Sequence, residues 1–178
     1  VRAGVRTIEH CSFVGAQGFG GDFDPALVRE MAARVPRLWV APTVNSGWAK
    51  HCHPDGKATE FGTRMGRVLR GLAEAGVSLI ASTDAGIPGV HHDRLAESLE
   101  VLARLTGLAP VEVLRAATSE AAEALGIADT VGTLGPGRSA DVLVVAGNPL
   151  EDLEVLTRPR LVVARGQLVA RNGSLDSS

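Results

Sequence analysis

The sequence predicts an α/β protein with parallel strands, followed by a small antiparallel segment. Three short apolar runs, each followed by a helical pattern, fill roughly the first 105 of the 178 residues. Alternating strands and helices are typical of βαβ units, whose crossovers are nearly always right-handed. After two further helices the pattern changes to short strands separated by glycine and proline turns, which indicates an antiparallel meander.

The predicted parallel strands are apolar runs that end in polar residues. They cover residues 5–10, 38–43 and 77–83. Continuous apolar runs of this length are expected where helices cover both faces of a parallel sheet. The sequence therefore predicts a parallel α/β core in its first part.

Capping residues mark the predicted helices. Asp24 and Pro25 predict the N-cap and first turn of a helix that runs to about residue 34. Further helices are predicted from about residue 63 to 75 and from about residue 93 to 105. Pro110 opens a fourth helix, and Ser119 is the predicted cap of a fifth that ends at residues 125–126.

The C-terminal segment is predicted to be a three-stranded antiparallel meander. A turn at 133–137 precedes strands at 140–145, 161–164 and 167–171, and the last two form a hairpin about Arg165 and Gly166. Because three strands do not close a sheet by themselves, we expect a partner sheet. The predicted organisation is one unit over residues 1–128 and a second over residues 129–178.

Composition argues against several classes of protein. The net charge of −2 argues against nucleic acid as a partner, and no apolar run approaches the roughly 20 residues of a membrane span. A small neutral or zwitterionic substrate suits this charge better. Cys11 and Cys52 are too few for a disulfide scaffold, so we expect a reducing, cytoplasmic location. The chain begins at Val1, and we expect the natural polypeptide to extend upstream of it.

Two polar residues lie where predicted parallel strands end. His10 ends the first strand and Asp84 follows the third. Active sites of parallel α/β folds are built at this edge, and imidazole and carboxylate are ligand types of catalytic zinc. A carboxylate beside metal-bound water can also accept its proton. The spacing alone leaves open a purely structural alternative. In it, His10 is a hydrogen-bonded strand-end residue and Asp84 is a cap or turn residue.

A second histidine motif is a weaker candidate. His51, Cys52 and His53 imitate a His-x-His metal pair, but they lie in a polar loop with no strand to hold both rings in ligand geometry. We favour a structural or solvated role. Substrate contact is the alternative, because this loop also leaves the catalytic edge of the sheet.

Several segments together resemble the amidohydrolase superfamily, in particular its branch of imidazolonepropionases and prolidase-like dipeptidases. The stretch AGVRTIEH at 3–10 resembles the sixth barrel strand of that family, and ASTDAG at 81–86 resembles the eighth. Further segments resemble its post-barrel helices and its returning β-sandwich strands, namely 108–118, 121–126, 132–137, 139–145 and 147–150. The resemblance covers essentially the whole chain in one consistent order.

The resemblance implies the C-terminal part of a (β/α)₈ TIM barrel, strands six to eight, with the C-terminal strands of a small β-sandwich. In that family the metal ligands are a His-x-His pair on strand one, often a carboxylated lysine or a glutamate on strand four, histidines on strands five and six, and an aspartate on strand eight. His10 and Asp84 match the last two positions. The missing N-terminal half of the barrel is the expected partner, and the chain alone is expected to be inactive.

The activity implied by the resemblance is metal-dependent hydrolysis of C–N bonds in cyclic amides or dipeptide-like substrates. The implied cofactor is one or two divalent metal ions, with Zn²⁺ first, which polarise the scissile carbonyl and lower the pKa of bound water to about 7. Asp84 would accept the proton and pass it to the leaving amine. His91 and His92 lie where prolidase-like relatives also carry a histidine, so they are either substrate-binding residues or a solvent-facing pair before a helix capped by Asp93.

Two other functions stay open. The chain could belong to a non-catalytic amidohydrolase-like scaffold, although the presence of both His10 and Asp84 argues against this. It could also be an independent small-molecule binding module. That alternative predicts a stable monomer, whereas part of a barrel should expose strand edges and apolar helix faces. Homo-oligomerisation is left open.

Overall fold

Two separate sheets form the framework of the protein. The computed structural model describes residues 1, 3–52, 57–171 and 174–175. The first sheet contains the parallel strands β1 (Thr7–Glu9), β2 (Trp39–Ala41) and β3 (Ser78–Leu79), in that spatial order. The second is antiparallel and contains β4 (Val142–Val145), β5 (Pro159–Ala164), β6 (Gln167–Arg171) and β7 (Ser174–Leu175). The predicted parallel α/β part and antiparallel meander are therefore both present.

Five α-helices accompany the parallel sheet in the described part of the chain. They are α1 (Pro25–Ala32), α2 (Glu60–Glu74), α3 (Leu95–Thr106), α4 (Pro110–Ala117) and α5 (Ser119–Leu125). Short 3₁₀ helices lie at Ser46–His51, His92–Arg94 and Leu153–Thr157. No helix among the residues with described coordinates is long and apolar enough to cross a membrane.

The hydrophobic core lies between β2 and the helices that cover it. Val40 of β2 is 0% exposed, as are Val68, Leu69 and Leu72 of α2. Burying an aliphatic side chain of this size contributes about 1.5–3 kcal/mol. Leu153 belongs to the same cluster, so the 3₁₀ helix before β5 packs back onto the α/β core. The wider cluster also includes Val28, Met31, Leu79, Leu99, Leu102, Leu105 and Val113.

Trp39 and two arginines connect α5 to the start of β2. The guanidinium carbons of Arg6 and Arg37 lie 5.4 and 5.7 Å from the centroid of the buried Trp39 ring. A carboxylate oxygen of Glu120 accepts hydrogen bonds from Arg37 at 3.1 Å and from the Trp39 indole at 3.4 Å. Arg6 donates to the carbonyl of Glu123 at 2.8 Å. These contacts occupy the end of the sheet opposite to the strand ends that carry His10 and Asp84.

The predicted hairpin of the second sheet is confirmed. Arg165 and Gly166 connect β5 to β6 with φ angles of 52° and 80°, as a two-residue turn with both central residues left-handed requires. A carboxylate oxygen of Asp141 accepts a hydrogen bond from the Arg165 backbone N–H at 2.7 Å. This bond holds the pKa of the Asp141 carboxyl below its usual range. The short strand β7 adds a fourth strand to the predicted three.

Two helix boundaries differ from the prediction. The predicted start of α2 at residue 63 is three residues late, because the Thr59 side chain accepts a hydrogen bond from the Gly62 N–H and begins the helix at Glu60. The prediction that Asp93 caps the next helix is wrong. Asp93 lies in the 3₁₀ helix His92–Arg94, and α3 begins afterwards at Leu95 with no side-chain cap.

Two glycines of α2 provide a matched test of its packing. A Cβ at Gly62 would overlap the backbone carbonyl oxygen of His51, whereas a Cβ at Gly66 would meet its nearest neighbour, Leu105 Cδ2, at 3.6 Å. We expect Gly62→Ala to lower the free energy of unfolding by about 1–3 kcal/mol because backbone atoms must move. Gly66→Ala should raise it by about 0.5–1 kcal/mol because alanine loses less entropy in a helix. Urea unfolding of both variants measures this, and a Gly62→Ala protein as stable as Gly66→Ala would show that the loop before α2 does not constrain the helix.

Candidate functional site

The candidate site lies where the three parallel strands end. His10 directly follows β1, Thr43 is the second residue after β2, and Asp84 lies in the loop after β3. The C-terminal ends of parallel strands meet at one edge of the sheet, so these residues share that edge. All three have left-handed backbones, with φ angles of 62°, 54° and 57°. The chain therefore turns sharply as it leaves each strand.

His10 is tied to the neighbouring strand through its ring and its backbone. Its Nδ1 lies 2.7 Å from the hydroxyl oxygen of Thr43. Its backbone N–H donates to the carbonyl of Ala41 at 2.8 Å, which continues the pairing of β1 with β2. Nε2 makes no hydrogen bond to the described residues. One ring nitrogen is held and the other is available to a ligand.

Asp84 presents an unpaired carboxylate. The side chain is exposed and has no hydrogen bond or ion pair with any residue whose position is described. The following loop closes on itself, since the Gly86 N–H donates to the carbonyl of Val90 at 3.0 Å. In the parallel sheet β2 lies between the strands that lead to His10 and Asp84, and two strand spacings correspond to about 10 Å. The two side chains thus lie at one edge of the sheet and make no hydrogen bond to each other.

Of the two histidines considered for substrate binding, His92 lies against the Asp84 loop. A Cβ atom placed on Gly86 would lie 3.5 Å from Cε1 of His92. His91 is exposed, and its carbonyl accepts a hydrogen bond from the Arg94 N–H at 3.3 Å in the short 3₁₀ helix. The structure therefore keeps His92 beside the loop that carries the candidate catalytic carboxylate.

The donors at this edge fit a divalent metal in kind but not in number. A free imidazole nitrogen on His10 and a free carboxylate on Asp84 are the donor types that zinc uses. The described residues contain no group of three or more His, Cys, Asp or Glu side chains that could hold a metal ion. His10 and Asp84 could therefore provide part of a coordination sphere, and the other ligands would have to come from outside this set.

The second histidine motif is engaged in local structure. His51 Nδ1 lies 3.0 Å from the Thr59 hydroxyl, and its ring packs against Phe61 with centroids 4.9 Å apart. Trp48 packs on the same phenylalanine at 4.8 Å. These contacts hold the loop against the start of α2, in agreement with the structural role favoured from the sequence. His53 lies outside the described residues.

Cys11 has no features of a nucleophile. The thiol is partly buried beside His10, and this burial raises its pKa to about 11. At neutral pH it therefore stays protonated, whereas the thiolate is the reactive form.

Sequence analysis missed two residues that connect the site. Thr43 ends the predicted second strand, and Ser82 precedes Asp84 by two residues. The Thr43 backbone N–H donates to the Ser82 hydroxyl at 2.9 Å, so hydrogen bonds connect all three strand ends. The available signal was position, because Thr43 is a polar residue at the end of a strand, as His10 is.

Comparison with known proteins identifies the family. The model of the amidohydrolase family matches residues 2–169. The chain is 26% identical to ochratoxinase from Aspergillus niger over 167 aligned residues. This alignment covers 91% of this chain and 32% of the ochratoxinase. The chain is also 35% identical to imidazolonepropionase from Chloroflexus aggregans over 106 aligned residues, which are 58% of this chain and 25% of the imidazolonepropionase.

A solved structure agrees with these sequence matches. The crystal structure of a Xaa-Pro dipeptidase with bound methionine superimposes with a TM-score of 0.69 and 26% identity, over 94% of this chain and 40% of that protein. The chain thus spans about a third of the length of the ochratoxinase and two fifths of the dipeptidase. Because the family model covers nearly all of its residues, the chain belongs to the amidohydrolase family.

Proposed function

We propose that the protein containing this chain is a metal-dependent hydrolase of C–N bonds. The observation that carries the proposal is the pair of unpaired donors, His10 Nε2 and the Asp84 carboxylate, at one strand edge in an amidohydrolase family member. Similarity to an imidazolonepropionase and a Xaa-Pro dipeptidase supports cyclic amides or dipeptide-like molecules as substrates. One or two divalent ions, Zn²⁺ first, are the proposed cofactor.

In this proposal β1, β2 and β3 are strands six, seven and eight of a (β/α)₈ barrel. In the described part of the chain, β1 and β3 each pair with β2 alone, so each leaves one edge open for another strand. Residues 1–128 form the barrel part and residues 129–178 the sandwich part. Exposed apolar side chains on the second sheet and before it, including Leu134, Leu143 and Val144, are consistent with a covering partner.

The two site residues have separate roles. His10 is a metal ligand through Nε2, and Asp84 is a ligand that also handles the proton. When bound, the metal supplies Lewis acidity that polarises the scissile carbonyl and makes water a stronger acid. Asp84 accepts the proton from the attacking water and passes it to the leaving nitrogen, first as general base and then as general acid. Its carboxylate suits this task because it makes no hydrogen bond or ion pair with the described residues. His92, beside the same loop, is the better placed of the two histidines for substrate contact.

Replacing Asp84 tests the catalytic assignment. In the complete native polypeptide, defined by intact mass and N-terminal sequencing, Asp84→Asn should lower kcat by about 100-fold or more because an amide cannot accept the proton. The assay uses zinc-loaded protein with a panel of Xaa-Pro dipeptides and cyclic amides. Asp129→Asn is the matched control, since Asp129 is also an exposed carboxylate outside the site and should leave kcat unchanged. Equal activity of the two variants would remove Asp84 from the mechanism.

The 178-residue chain alone is expected to bind zinc weakly and to be inactive. His10 and Asp84 supply two ligands, whereas catalytic zinc sites use three protein ligands. Dialysis against metal-free buffer followed by metal analysis should therefore leave far less than one zinc per chain, and the same panel of substrates should show no hydrolysis. One zinc per chain retained through dialysis would mean that further residues of this chain, such as His51, His53 or His91, complete the site.

A further inference from the structure

The Thr43 hydroxyl contacts the ring of a candidate metal ligand. We propose that Thr43 is a positioning residue for His10, and that its hydroxyl keeps the proton on Nδ1 so that Nε2 stays unprotonated and free to bind. The choice of Nε2 as a metal ligand rests on the proposed function. The tautomer itself does not, because it is inferred from the two contacts of the Thr43 hydroxyl.

The direction of the bond follows from counting protons. The Thr43 hydroxyl oxygen lies 2.8 Å from the carbonyl oxygen of Pro42 and 2.7 Å from His10 Nδ1. A carbonyl can only accept, so the single hydroxyl proton is donated to Pro42. The hydroxyl then accepts from Nδ1, so we place a proton on that nitrogen. A neutral imidazole protonated at Nδ1 has its lone pair on Nε2, as a metal ligand requires.

Thr43 is itself held firmly enough to orient the ring. It is 8% exposed, and its backbone N–H donates to the Ser82 hydroxyl at 2.9 Å. Its φ of 54° is unfavourable for a β-branched residue, and such a conformation persists only where surrounding contacts impose it. Because β2 lies between β1 and β3, Thr43 connects the end of the strand bearing His10 with the loop bearing Asp84.

The tautomer can be measured directly. The complete native protein is labelled with ¹⁵N in its histidine rings, stripped of metal, and examined by long-range ¹H–¹⁵N correlation at pH 8. His10→Gln identifies the His10 signals. We expect wild-type His10 to be protonated at Nδ1. Thr43→Val, which keeps the branched shape but removes the hydroxyl, should shift the ring towards the Nε2-protonated form, and Thr43→Ser should restore the wild-type pattern.

Zinc affinity gives a second measurement. Removing a residue that hydrogen-bonds to a ligand histidine typically weakens metal binding by 10–100-fold. Competition with a chelator should therefore show zinc binding weakened by about 10–100-fold in Thr43→Val and close to wild type in Thr43→Ser. A general packing defect would not be repaired by serine, which lacks the threonine methyl group. Thermal unfolding of both variants shows whether each is folded.

Several outcomes would overturn the proposal. One is a wild-type His10 protonated at Nε2, a result that needs no Thr43 variant and so holds even if Thr43→Val fails to fold. Others are an unchanged tautomer in folded Thr43→Val, or an unchanged affinity in a protein that does bind zinc. If the complete protein binds no zinc and hydrolyses nothing, the proposed function fails, while a tautomer that depends on the hydroxyl still supports the role of Thr43.

Discussion

The pairing of β2 with both neighbours is the constraint on which the core and the candidate site depend. Val40 accepts a hydrogen bond from Ile80 at 2.9 Å, and Ala41 accepts one from His10 at 2.8 Å. These bonds set where each strand ends relative to the others. Because side chains alternate between faces, a shift of one residue would exchange the faces on which the buried Trp39, Val40 and Ala41 pack, and it would separate His10 from Thr43. The burial that stabilises the sheet therefore also sets the geometry of the site.

The two ends of the sheet use their polar groups differently. At the start of β2, two guanidinium groups lie against the Trp39 ring, and Glu120 accepts hydrogen bonds from both the indole and Arg37. At the other end His10 keeps a free ring nitrogen and Asp84 a free carboxylate among the described residues. In (β/α)₈ enzymes the first end serves stability and the second serves catalysis. The distribution of satisfied and unsatisfied groups agrees with that division.

Sequence could predict the positions of His10 and Asp84, because an apolar run followed by a polar residue marks the end of a buried strand. It could also predict the hairpin about Arg165 and Gly166 from turn chemistry. It could not predict the bond between His10 and Thr43, which joins residues 33 positions apart and depends on the register of two strands. Capping by Thr59 was visible in principle, but the glycine it contacts, Gly62, weakened the helical pattern that locates a helix start.

Backbone strain is a further argument for function at this edge. His10, Thr43 and Asp84 all have left-handed φ angles, which cost each non-glycine residue on the order of 1–3 kcal/mol. Glycine would remove that cost, yet each position carries a side chain with a donor or acceptor. Hydrogen bonds of the backbone N–H groups offset this cost at His10 and Thr43. The His10 N–H donates to the Ala41 carbonyl, and the Thr43 N–H donates to the Ser82 hydroxyl. The Asp84 side chain has no hydrogen bond or ion pair with the described residues, so its carboxylate is the polar group at this edge that a ligand can use without breaking an existing bond.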